Sequence, residues 1–313
     1  MDKKLKNSII DIVENDYEFL KNLENVNGIG LGFKTINGYV TDELCIHVLV
    51  EKKLEKSLIV NSENIIPKTY MGLKTDVLEV GTAKFRGFTE KVRPLQSGYS
   101  MSPSPDEIAG TLSGIVVRIQ PCGKKIFYVL GNNHVLSSFG ETPLNTPVLQ
   151  PGKQDGGTDE DVIAFVSDSI PINSSLTKPY PINYVDAALA KLKDPSLIST
   201  LVASLGHIKG VANPVLNSVV KKSGRTSGVT EGKITTINAT IDIQNSTFKK
   251  QIIANITTLP GDSGSLLLNE NNNVVGLLFS GDDEDYGISY ANPIKLVLEA
   301  LKVKLLIFCE WVY

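Results

Sequence analysis

Pro260-Gly261-Asp262-Ser263-Gly264-Ser265, running on into Leu266-Leu267-Leu268, is the stretch on which the reading of this chain turns. A serine hydroxyl is a poor nucleophile at its own pKa. It needs a base to take its proton and donors to hold the oxyanion. A glycine two residues before a serine lets the backbone turn tightly, so that the amides of Gly261 and Ser263 can face one point. A polar turn leading into a buried strand is the competing reading, and a bare Gly-Asp-Ser-Gly does not separate the two.

The search for a base is short, because the chain has three histidines. His47 lies in the alternating run Cys45-Ile46-His47-Val48-Leu49-Val50, which reads as a strand with a half-buried structural histidine. His207, in Ser204-Leu205-Gly206-His207, reads as an exposed loop residue. His134 follows the apolar strand Ile126-Phe127-Tyr128-Val129-Leu130, and a strand end is where a rigid scaffold presents a catalytic group to a cleft. An acid that orients the base must be fixed by burial. Asp186 is a lone charge in Val185-Asp186-Ala187-Ala188-Leu189-Ala190. A buried, unpaired carboxylate is costly, so a dedicated partner is expected and an imidazole N–H is a natural one. Capping of a turn is the alternative for Asp186.

His134, Asp186, Ser263 is one of three unrelated chain orders that build the same triad geometry. No histidine follows Ser263, which excludes the order in which histidine comes last. An aspartate ahead of His134 would give the third order, but none there sits in a comparably buried strand beside a Gly-rich turn. With these residues in view, the chain resembles the chymotrypsin/trypsin-like serine peptidases, and more closely their cytosolic, disulfide-free bacterial relatives. The matching pieces are Ala109-Gly110-Thr111-Leu112-Ser113-Gly114, Asn132-Asn133-His134-Val135-Leu136, Val185-Asp186-Ala187-Ala188, Lys222 to Gly228, Gly261 to Ser265 and Val275-Gly276-Leu277-Leu278. They run from about residue 93 to 300, and residues 1 to 90 lie outside the resemblance. Asn133 departs from the pattern, since extracellular members carry Ala before the histidine.

The resemblance implies a mainly β, chymotrypsin-like double β-barrel with a C-terminal helix. His134 and Asp186 would come from the first barrel and Ser263 from the second. The implied activity is a serine endopeptidase acting on protein or peptide substrates through an acyl-enzyme, with Gly261 and Ser263 as oxyanion donors and no cofactor. The pocket for the residue before the cut would have Thr257 at its base and Phe279, Ser280, Gly281 and Gly287 as walls. Thr257 is uncharged, which favours small or apolar side chains there, with the acidic run Asp282-Asp283-Glu284-Asp285 at the rim. In secreted members a freed N-terminal amine buries against the aspartate before the serine. Here that residue is Asp262, and it is expected to be held by other donors without propeptide cleavage. A protein that keeps this fold without turnover, as a binding or scaffolding module or a latent enzyme, is the alternative.

Composition narrows the remaining classes. Lys plus Arg is 31 and Asp plus Glu is 34, a net charge of −3, which argues against nucleic-acid or polybasic membrane-surface binding. Three scattered cysteines imply neither a disulfide framework nor a Cys-x-x-Cys metal pair. The first residues carry lysines with no apolar stretch after them, so no signal peptide is expected, and no run is apolar enough to span a membrane. A cytoplasmic protein is the expectation.

Along the chain, residues 1–90 read as a small α+β module, 91–109 as a Pro/Gly/Ser-rich linker and 110–313 as the peptidase domain. The module has an amphipathic helix over 4–24, a hairpin turning at Asn37-Gly38, a charged turn or short helix at 51–57 and one or two strands over 64–81. It is a candidate surface for a partner or for self-association. Gly28-Ile29-Gly30-Leu31-Gly32 tempts a dinucleotide reading, but its third glycine is misplaced and a hairpin follows. Gly224 to Lys233 fails the phosphate-loop spacing. The acidic loop Asp155 to Asp161 lacks calcium-loop spacing, and no metal is expected. Strands dominate after Gly110, with Val185 to Leu192 among them, and a last helix is expected over about Pro293 to Leu306.

Overall fold

The computed structural model describes residues 3–36, 38–54, 64–81, 87–104, 109–282 and 287–308. Asn37, residues 55–57 of the charged turn, Asp283, Glu284 and Asp285 of the acidic run, and the tail Cys309–Tyr313 lie outside the described residues. The chain divides into two compact units, Met1–Lys84 and Phe85–Tyr313.

In the first unit, α1 (Lys3–Asn15) and α2 (Glu18–Lys21) pack on a sheet of β1 (Val26–Ile36), β2 (Tyr39–Val50), β3 (Thr69–Tyr70) and β4 (Leu73–Glu79). The sheet order is β1-β2-β4-β3. Every second residue of β2, from Leu44 through Ile46 and Val48 to Val50, enters a core shared with Ile9, Ile12 and Leu20. The expected single helix over 4–24 is interrupted after Asn15, whose amide donates back to Asp11 Oδ1 at 2.8 Å. Asn and Asp compete with the helical backbone for hydrogen bonds, and Asn15-Asp16 sits at the break.

The larger unit holds two barrel-like sheets. The first uses β5 (Ser100–Pro103), β6 (Gly110–Thr111), β7 (Gly114–Ile119), β8 (Lys125–Gly131), β9 (Pro147–Leu149), β10 (Val162–Ser169) and β12 (Ala188–Leu192). The second uses β11 (Ile182–Asn183), β15 (Gly210–Val211), β16 (Val219–Gly224), β17 (Gly228–Ile243), β18 (Ser246–Asn255), β19 (Leu266–Asn269), β20 (Asn273–Gly281) and β21 (Ile288–Pro293). A separate ladder pairs β13 (Leu201–Val202) with β14 (Gly206–His207). Val129, Leu136, Val148, Ile163 and Ala190 fill the first core, and Val220, Ile234, Ile252 and Leu267 the second. A third cluster joins the two, bringing Leu130, Val185 and Leu189 against Leu266, Leu277 and the helix α4 (Ile294–Leu301). This is the mainly β, chymotrypsin-like architecture the sequence led us to expect, and the seam between its halves is where the site lies.

Three expected boundaries are corrected. Residues 91–109 do not form a linker where they are described; they are built into the larger unit. Leu95 and Met101 are core residues, β5 pairs with β9, and the Leu95 and Ser97 amides donate to Leu197 and Leu201 carbonyls at 2.9 Å. The serines that suggested a solvated stretch are buried and bonded: Ser100 Oγ donates to Asp155 and accepts from the Gly152 amide. The last helix ends at Leu301, where Lys302 turns left-handed at φ 54°. Lys302-Val303-Lys304-Leu305 then alternates polar and apolar, and β22 (Lys304–Leu305) pairs with β7 to extend the first sheet. Finally, the strand expected from Val185 starts at Ala188, which leaves Asp186 in the irregular segment just before β12.

Candidate active site

His134 lies in the one-turn helix α3 (Asn133–Leu136), directly after β8. Asp186 sits beside it, because β12 pairs with β8 and sets Ala188 opposite Gly131. His134 Nδ1 is 2.5 Å from Asp186 Oδ2. The other carboxylate oxygen accepts the amides of Asn133 at 2.6 Å and His134 at 3.2 Å. The aspartate backbone is locked as well: its N–H donates to Asn292 Oδ1 and its carbonyl accepts from Asn132 Nδ2, both at 2.9 Å. Asn133, the departure from the extracellular pattern, donates its side-chain amide to the Ile170 carbonyl at 2.6 Å. Burial alone would push the His134 imidazole down, but the Asp186 charge and hydrogen bond outweigh it and raise the pKa above the ordinary histidine value.

Ser263 faces the same cleft from the second half. A cavity of about 280 Å³ is lined by His134, Ser263, Thr258, Leu259, Ser280 and Gly281, with Pro260, Leu278, Phe279, Asp282 and Gln244 around them. The serine loop is held at both ends of its turn by Thr111. The Thr111 hydroxyl donates to the Gly261 carbonyl at 2.9 Å and the Thr111 amide to the Ser263 carbonyl at 2.8 Å. Gly261 adopts φ +102°, where an L side chain is strained, and a Cβ there would lie 2.4 Å from Thr226 Oγ1. Among the described residues, the amides of Asp262, Gly264 and Ser265 all have acceptors, whereas those of Gly261 and Ser263 have none. The two expected oxyanion donors are therefore the two amides of this turn left available. The Ser263 hydroxyl makes no hydrogen bond to a described residue.

Asp262 points away from the cleft into a pocket with no exposure, where its carboxylate meets Lys222 Nζ at 2.9 Å. It also accepts the amides of Thr226, Ser227 and Leu259 and the Ser227 hydroxyl. Burial pushes this carboxyl up, but the Lys222 charge and these hydrogen bonds prevail and hold it below the usual carboxylate range. Asp262 thus has the other donors that were expected of it. Lys222 itself was missed. Its signal was available: Lys221 and Lys222 are adjacent in a strand, so one of them must point inward.

The pocket residues divide. Phe279, Ser280 and Gly281 line the cavity, as expected. Thr257 and Gly287 are not among its lining residues; Thr257 is exposed, and Thr258 takes the inner position. The Thr258 hydroxyl bonds Ser289 Oγ at 2.9 Å, and a Cβ at Gly281 would sit 2.3 Å from it, so two uncharged residues meet closely there, with Asp282 lining the same cavity. A second cavity of about 260 Å³ also borders His134; Phe139, Ile172, Ile243, Phe248 and Phe279 line it together with the polar Asp186, Gln244, Ser246 and Ser280. In the acidic loop, Asp155 pairs with Arg225 and Asp161 with Lys91. His207, expected to be exposed, is half-buried, bonded to Thr200 Oγ1 at 2.8 Å and packed on Phe308.

Two barrel-like sheets with a histidine–aspartate pair from one and a serine turn from the other define the chymotrypsin-like class of fold. A family model described as a trypsin-like peptidase domain matches residues 112–277, more than half of the 313 residues, and the chain belongs to that family. No curated protein matches the sequence. Among solved structures, the chain is similar to a glutamic acid-specific serine protease with a histidine triad in substrate binding, at 18% identity and a TM-score of 0.51, covering 68% of this chain and all 100% of that one. Protease A of Thermobifida fusca (17% identity, TM-score 0.49) and the chymotrypsin of Cellulomonas bogoriensis (16%, 0.48) each cover 68% of this chain and 98% of their own. No helix among the described residues is long and apolar enough to cross a membrane.

Proposed function

We propose that this chain is a serine endopeptidase that uses Ser263 as nucleophile, His134 as general base and acid, and Asp186 as the group that fixes the imidazole. The observation that carries the reading is the His134–Asp186 contact at 2.5 Å opening onto the cavity that Ser263 shares. With Nδ1–H donated to Asp186, Nε2 is the free lone pair that takes the Ser263 proton as the hydroxyl attacks the scissile carbonyl. The oxyanion forms against the unpaired amides of Gly261 and Ser263. His134 then gives its proton to the leaving amine, and water repeats the sequence to release the acyl group. Asp262 bound to Lys222 supports a serine turn that is already set without a freed N-terminal amine.

The close, uncharged pair Thr258 and Gly281 favours a small or apolar side chain before the cut, and the cavity lined by Ile172, Phe248 and Phe279 favours an apolar residue upstream of it. A peptide library cleaved by the full-length protein, with Ser263→Ala as control, tests both. Cleavage after small or apolar residues, absent in the control, is expected. Cleavage mainly after Arg or Lys would overturn the specificity and point to Asp282, which lines the same cavity.

A further inference from the structure

The run Gly28-Ile29-Gly30-Leu31-Gly32 gives β1 one bare face. In the ladder with β2, Gly28 pairs with Leu49, Gly30 with His47 and Gly32 with Cys45. Ile29, Leu31, Ile46 and Val48 point into the core beneath the helices, so Cys45 and His47 share the opposite face. β4 runs parallel to β2 and sets Asp76 against His47. A ligand atom of each of Cys45, His47 and Asp76 lies within 4.8 Å of the others.

Each of the three keeps a donor atom that no described residue occupies. His47 Nε2 is 2.9 Å from the Phe33 carbonyl, which places the ring N–H there and leaves Nδ1 with its lone pair. Asp76 Oδ2 accepts the Thr35 amide at 2.6 Å, which fixes the carboxylate and leaves Oδ1 without a partner. Cys45 is a free, fully buried thiol without a hydrogen bond. The glycines make the arrangement fit. A Cβ at Gly32 would lie 2.0 Å from the His47 ring, whereas one at Gly30 would meet nothing within 4 Å, so the face is open beside the histidine.

We propose that Cys45, His47 and Asp76, all in the N-terminal unit, form a binding site for a divalent transition metal of the zinc class. Sulfur, imidazole nitrogen and carboxylate oxygen are the donor types zinc takes, at about 2.0–2.3 Å each, and the trio, within 4.8 Å of one another, would draw together around the ion. The Phe33 carbonyl and the Thr35 amide stand where outer-shell partners orient metal ligands. The open face above Gly30 leaves room for a fourth ligand. On binding, the Cys45 thiol releases its proton to solvent and the metal takes its place. A buried cysteine beside a structural histidine would not require a carboxylate to be brought to the same spot from another strand.

Titration of the reduced, chelator-stripped full-length protein with Co²⁺, followed by absorbance, tests this. A thiolate-to-cobalt charge-transfer band is expected in the near ultraviolet, saturating at one equivalent and bleached by Zn²⁺. It persists in Cys122→Ser and is lost in Cys45→Ser. In Asp76→Asn and His47→Gln, checked for folding by circular dichroism, Co²⁺ affinity falls by at least the roughly tenfold that losing an outer-shell partner costs. These two variants keep the test readable should Cys45→Ser not fold. No band, a band undiminished in Cys45→Ser, or unchanged affinity in folded Asp76→Asn and His47→Gln overturns the proposal.

Discussion

At the residue scale, Asp186 is the group whose removal discriminates best between a working triad and a decorative one. Its carboxylate raises the His134 pKa against the opposing effect of burial. The base acts only when neutral, so activity is lost as pH falls through a value above the ordinary histidine pKa. Asp186→Asn keeps the shape but removes the charge. We expect kcat to drop by about ten-thousand-fold, the loss such a change produces in this geometry. The acid limb of kcat/KM should also move to lower pH, because burial alone then acts on the imidazole. A pH–rate profile reads both, and an unmoved limb would mean that His134 is not the titrating base. The three candidates drew notice in the sequence for different local reasons: Asp186 is a lone charge in an apolar run, His134 follows an apolar strand, and Ser263 sits in a Gly-rich turn that leads into one. Thr258 was not legible, since nothing in residue type separates it from its neighbour Thr257. Asn292 was not either: its role is to accept the Asp186 amide, a contact made across 106 residues.

At the element scale, β16 carries the support for the serine turn. Lys222 has no exposed side-chain surface, and its ammonium is the counter-charge of Asp262. Removing it strands a buried carboxylate. Lys222→Met is expected to cost about 3–5 kcal/mol in chemical denaturation at neutral pH. Because Asp262 titrates below its ordinary value in the fold, the stability it contributes is present above that ordinary value and is lost as pH falls through the depressed one. The penalty of Lys222→Met should therefore shrink in acid, where the stranded carboxyl takes up a proton. A penalty that does not vary with pH would contradict the ion pair. Strands with a clear two-residue alternation, such as β2 and β8, were legible, since burial of one face dictates the pattern. The segment through β5 was not. Its prolines, glycines and serines look like a solvated connector, yet its serines satisfy one another's neighbours inside the protein, as Ser100 does with Asp155 and Gly152. Local composition cannot report a hydrogen bond made 52 residues away.

At the scale of the whole molecule, the boundary between the units has moved to residue 84, and it can be tested by where the chain is cut. A chain starting at residue 85 retains β5, Leu95 and Met101, and is expected to fold cooperatively. One starting at residue 110 loses all three from the first core and is expected to be destabilised or insoluble. Equal stability of the two would restore the linker that the composition suggested. Family and fold rest on the match over residues 112–277 and on the paired sheets, whereas turnover rests on whether three side chains and two amides act together. The most direct measurement is treatment of the full-length protein with a fluorophosphonate, with the adduct located by mass spectrometry. The account predicts a single covalent adduct on Ser263, formed without prior cleavage of the chain and lost in both Ser263→Ala and His134→Ala. A folded protein that remains unlabelled, or one labelled only after an N-terminal cut, would contradict it.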